Sequence, residues 1–70
     1  MPNREIPFRE ILDCRDTKGN KIQIAAGSTR DGRVVLLNPS GHIPVLNLQQ
    51  ATEFVDKLRH VIQDAAQRDG

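Results

Sequence analysis

The run Val34-Val35-Leu36-Leu37 places four apolar residues in a row between two turn segments, and a single amphipathic helix follows it. Successive side chains of a strand point to opposite faces. This run therefore loads large aliphatics onto both faces of whatever sheet it joins. One helix covers one face of a small sheet, so the other face needs a partner or another part of the chain.

Seventy residues make one domain at most. A chain this short buries a modest share of its surface and usually needs a disulfide, a metal or an oligomer. Cys14 is the only cysteine, so no intrachain disulfide forms. Cys14, His42 and His60 lack the spacing of a zinc site. Oligomerisation is the staple that remains, and a homodimer is the expectation. No cofactor is implied. The amino terminus carries no apolar signal core and no segment approaches a membrane span. With one cysteine, a reducing cytoplasm is expected.

Along the chain, residues 1–5 read as a flexible terminus, 6–46 as a β-meander and 47–68 as a helical unit. Ile6 to Arg15 is a strand whose alternation breaks at Ile11 and Leu12, which predicts a bulge or irregular start. Pro7 favours an edge position. Asp16 to Asn20 is a turn by composition. Lys21 to Ala26 alternates cleanly, with Ile22, Ile24 and Ala26 on one face. Gly27 to Gly32 is the next turn, with Asp31-Gly32 as its expected tip. After the third strand, Arg33 to Leu37, the segment Asn38-Pro39-Ser40-Gly41 matches a type I turn at each position.

If that turn closes a hairpin, Leu37 lies opposite His42, Leu36 opposite Ile43, Val35 opposite Pro44 and Val34 opposite Val45. Directly opposed residues share a face. Val34, Leu36, Ile43 and Val45 then lie beneath the helix, with Leu36 against Phe54 and Leu58. Val35, Leu37, His42 and Pro44 are left as the candidate protein interface, unless Phe8, Leu12 or Leu46 covers them. Asn47 and Gln50 form a capping-box pattern ahead of a helix over 48–67. Ala51, Phe54, Val55, Leu58, Val61, Ile62 and Ala65 recur on one side of it. The predicted class is α+β: an antiparallel meander of three to four strands with one C-terminal helix on one face.

Catalytic motifs are lacking. Ser28 and Ser40 sit in turn segments, no Gly-x-Ser-x-Gly occurs, and the two histidines lie in different elements. Charge gives a second reading. Residues 1–46 hold seven basic and five acidic groups, for +2, and residues 47–70 hold three and four, for −1. Lys18, Lys21, Arg30 and Arg33 are thus candidate phosphate-binding residues on the hairpins, although the sheet offers no stacking aromatics for RNA. A total near +1 gives little general attraction to nucleic acid.

From Cys14 to Ile62 the layout resembles a family of small, uncharacterised actinobacterial proteins often encoded beside helix-turn-helix transcription regulators. The matching words are Ile22-Gln23-Ile24-Ala25, Gly32-Arg33-Val34-Val35, Asn38-Pro39-Ser40-Gly41 and Leu46-Asn47-Leu48, with Phe54 as the helix aromatic. The chain lacks that family's opening Trp-x-x-Ser-Ser and its Arg-Asp-Ser-Lys, and has Ala51 in place of a helix Trp. The strand-to-helix end is also similar in layout to the dimerisation half of mycobacterial nucleoid-bridging proteins. These resemblances imply regulation and protein pairing. The expected function is a non-enzymatic homodimeric interaction module, an accessory of a transcription regulator. The alternatives are a small DNA-associated protein and an antitoxin-like or phage-encoded inhibitor.

Overall fold

The structure, a computed structural model, describes residues 6–68. The flexible terminus expected at residues 1–5 lies outside them. The elements in chain order are β1 (Phe8–Asp16), β2 (Lys21–Ser28), β3 (Val34–Leu37), β4 (Pro44–Val45) and α1 (Leu48–Arg68). The four strands form one antiparallel sheet in the order β3-β2-β1-β4, with α1 packed on one face. The α+β class and the C-terminal helix are as the sequence predicts.

Two turns of similar construction fold the first three strands into a meander. In the first, the backbone N–H groups of Lys18 and Asn20 donate to Asp16 Oδ1 at 2.9 and 2.8 Å. Gly19 takes a φ of 87°, a conformation that costs glycine nothing. In the second, the Arg33 N–H donates to Thr29 Oγ1 at 2.9 Å and Gly32 takes a φ of 86°. The second turn is therefore tipped by Arg30 and Asp31, and β2 runs two residues further than its alternation predicts. Residues 8–15 of β1 pair with 28–21 of β2 in unbroken register, so the expected bulge does not form. The broken alternation at Ile11 and Leu12 has a simpler reading. Leu12 enters the core and Ile11 stands on the open face.

The largest correction concerns β4. Gly41 N–H donates to Asn38 O at 3.1 Å, so the turn predicted at 38–41 is real. It does not close a hairpin with β3. Residues 38–43 instead carry the chain to the opposite edge, where Val45 pairs with Arg15 and Pro44 with Asp16. The turn is self-sufficient: Asn38 Nδ2 donates to His42 O at 2.7 Å, and Ser40 Oγ to Asn38 Oδ1 at 2.9 Å. Crossing also brings Leu46 against the core of Leu12, Cys14 and Ile24, where Ile22 and Phe54 join it.

The helix starts where the capping box predicts. Gln50 N–H donates to Asn47 Oδ1 at 2.7 Å, and Asn47 N–H donates to Gln50 Oε1 at 3.0 Å. Val61 and Ala65 are buried, closing the core over Ala26 and Ser28. Polar contacts hold α1 over β1 and β2: Gln50 Nε2 donates to Asp13 O at 3.2 Å, His60 Nδ1 lies 3.1 Å from Glu10 Oε2, and Asp64 accepts from Ser28 Oγ.

On the open face, Gly27 leaves room for Ile6. A Cβ at residue 27 would lie 2.6 Å from Ile6 Cγ2 and 3.1 Å from Phe8 O. Gly27→Ala should therefore destabilise by about 1–3 kcal/mol, in the range of overpacking, and Ile6→Ala in the same chain should recover part of that loss. Leu12→Ala should cost about 2–5 kcal/mol, as for other buried leucines. Urea unfolding of the four proteins checks both statements.

Candidate association surface

The pairing registers fix which side chains share a face. Leu12, Cys14, Ile22, Ile24 and Ala26 lie under the helix, and on β3 Val34 and Leu36 belong to that same face. Val35 and Leu37 lie on the open face beside Gly27 and Ala25. This division of β3 follows the sequence. The burial does not: Val35 and Leu37 are half-buried, whereas Leu36 is 70% and Val34 42% exposed. Leu36 is on the helix-bearing face but not beneath the helix, because α1 is tied to β1 and β2 and β3 is left at the edge.

The four candidate interface residues are not brought together. Val35 and Leu37 are on the open face at the β3 edge. Pro44, opposite Asp16, is on the helix-bearing face at the β4 edge. His42 is exposed in the crossing segment, close enough to Asp16 to act on its charge. Ile43 and Val45 do not join Leu36 and Val34, for the same reason. The four candidate phosphate ligands are also divided. Lys18 and Lys21 belong to the β1–β2 turn region, Arg30 and Arg33 to the β2–β3 turn. Those turns lie at opposite ends of β2, roughly 25 Å apart at strand rise. Arg33 Nε is 3.3 Å from Asp31 Oδ2, so one carboxylate stands within the second pair.

The sequence reading missed a different grouping. Gln50, Lys57 and Asp64 line one flank of α1, the flank that reaches toward β1 and Ser28. Val55 and Ile62 lie on the other flank, toward β3, and are 47% and 50% exposed. Val34 and Leu36 stand exposed on the same helix-bearing side of the sheet, at its β3 edge. The available signal was width. Seven apolar residues from Ala51 to Ala65 span more of the helix circumference than a narrow sheet covers, and Val55 and Ile62 sit at the margin of that arc.

The remaining reactive groups are engaged or enclosed. Cys14 is buried, and burial first, then the Asp13 charge, pushes its thiol up from the ordinary range. Ser28 is buried with its hydroxyl on Asp64. His60 is paired with Glu10 and lies on a different element from Ser28 and Cys14. Among the described residues, no three His, Cys, Asp or Glu side chains cluster to hold a metal, and no helix is long and apolar enough to cross a membrane. No protein-family model, curated protein or solved structure matches the chain.

Three carboxylates, Asp16, Asp31 and Asp64, are held below their ordinary values, and the first and last join parts of the fold. The Asn20 backbone N–H holds Asp16 below its ordinary value; burial pushes back by less, and the Lys18 N–H adds to the lowering. Hydrogen bonds from Arg68 and Ser28 hold Asp64 down in the same way; Arg68 Nε is 2.8 Å from Asp64 Oδ2. Each therefore contributes stability that is complete above the ordinary carboxylate range and is lost as pH falls through the lower folded value. The melting temperature should fall on acidification below about pH 4. Asp16→Asn, which can still accept the turn hydrogen bonds, should shrink that fall. A pH series of thermal melts on both proteins tests this.

Proposed function

We propose that the chain is a non-enzymatic homodimeric association module of the cytoplasm. The observation that carries this reading is the set of exposed apolar side chains Val34, Leu36, Val55 and Ile62 on the helix-bearing side. Among the described residues the buried hydrophobic set is seven side chains, five of them no larger than Val. A core so small gains little by itself. A second copy covering these side chains adds the burial that the monomer lacks. The layout shared with small proteins encoded beside helix-turn-helix regulators supports an accessory role in transcription control. The enclosed thiol and the engaged Ser28 and His60 support a non-catalytic one.

Folding and association are linked for such a protein. Its melting temperature should rise with concentration across the micromolar range, and sedimentation should show a species of twice 7.8 kDa. A 7.8 kDa species at every concentration would sink the reading.

The phosphate-binding alternative now has two basic pairs in place of one edge. Two phosphate contacts per pair give a log–log salt slope of roughly −1.8 by counterion release. Duplex DNA titrated at rising salt should show at most that weak, salt-erased binding. Affinity that persists at physiological salt would place DNA first.

A further inference from the structure

We propose that the homodimer forms by antiparallel pairing of β3 with β3 of a second copy, in the register centred on Val35. This rests on the association reading above and specifies the surface and geometry of it.

The backbone decides which groups are on offer. Thr29 N–H donates to Arg33 O at 2.8 Å, so Thr29 and Arg33 form a hydrogen-bonded pair. Bonded pairs recur every second residue of an antiparallel ladder. Gly27 with Val35 and Ala25 with Leu37 continue the series. Val35 and Leu37 thus spend their N–H and C=O groups on β2. Those of Val34 and Leu36 point outward from the sheet edge. The same two residues carry the exposed apolar side chains of the strand. Hydrogen bonding and hydrophobic cover are therefore wanted at one place.

The strand is complementary to itself there. In a pairing centred on Val35, Val34 of each copy opposes Leu36 of the other as a bonded pair, and four backbone hydrogen bonds form. Val35 meets its own counterpart as a non-bonded pair, about 4.5 Å apart at Cα. Such a contact is isologous and closes on itself. Its two-fold axis is perpendicular to the sheet, so both helices lie on one side. The Val55 and Ile62 flanks then turn toward each other above the Val34–Leu36 pairs. Centring on Leu36 would set Val34 against Asn38, and centring on Val34 would set Leu36 against Gly32.

The other open edge is protected and this one is not. Beyond the two residues of β4, the outer edge of β1 carries Arg9, Glu10 and Asp13, follows Pro7, and has the Gln50 amide on the Asp13 carbonyl. Charges and proline are what discourage strand addition. β3 has neither a charge nor a proline nor a bulge. A strand lent by an unrelated protein would find the same edge, but a second copy matches both its register and its flanking helix.

The test uses the full chain. Val35→Cys, oxidised, should give a cross-linked dimer on a non-reducing gel, since directly opposed residues of a non-bonded pair fall within disulfide reach. Wild type, with Cys14 buried, and Ile11→Cys on the β1 edge should not. Leu36→Lys should weaken association roughly a hundredfold, because an interface cannot hydrate the ammonium, while circular dichroism keeps the folded signature. A dimer that survives Leu36→Lys and does not cross-link through residue 35 overturns this register but leaves the association reading standing. Cross-linking through residue 11 moves the interface to β1 and overturns it too. Should Leu36→Lys fail to fold, the residue-35 cross-link decides alone. A wild-type chain that is monomeric throughout removes both proposals.

Discussion

The ladder between β1 and β2 is the frame on which everything else is hung. Its eight opposed pairs run without a break from Phe8 and Ser28 to Arg15 and Lys21. Both remaining strands are shorter and attach to one side of it each, β3 to β2 and β4 to β1. The helix rests on the same two strands, with its amino-terminal end over the Asp13 carbonyl and its carboxyl-terminal half over Ala26 and Ser28. Leu36, which neither the ladder nor the helix covers, stays exposed.

That frame explains why the residues grouped from sequence as an interface are not together in space. Alternation within a strand is local, so the opposite facing of Val35 and Leu36 was legible. The turn at Asn38 to Gly41 was legible too, since its residue types satisfy the turn by themselves. Which edge the chain takes after such a turn is not a local property. It depends on Leu46 reaching the Leu12–Cys14–Ile24 core and on Asn47 starting a helix over β1. Those contacts span more than twenty positions, and no short motif records them. His42 and Pro44 were misplaced for this reason alone.

The helix shows a complementary case. Its start was fixed by Asn47 and Gln50, whose reciprocal hydrogen bonds form as the residue types require. Its apolar stripe marked a side but not how much of that side the sheet occupies. Val61 and Ala65 are buried, and Val55 and Ile62, one position from core residues, are half in solvent. Periodicity gives the direction of burial. The width of the receiving surface, here two full strands and a short third, sets its extent. The same contrast separates the Asp16 turn, readable from its carboxylate and Gly19, from the basic groups. Those are close in sequence across β2 but lie at its two ends.

The order of the elements also matters while the chain is being made. All four strands precede α1, whose 21 residues supply most of the cover described for the Leu12, Cys14 and Ile24 face. At ordinary rates of synthesis, about 5–20 residues per second, that cover takes roughly 1–4 s to complete. Hairpins close in microseconds. For a million hairpin lifetimes or so, the nascent sheet holds its apolar face bare, with the uncharged β3 at its edge. The interval before the helix arrives is thus the stage of the molecule's life most exposed to self-association of the wrong kind, and the short β3 limits how much strand is on offer during it.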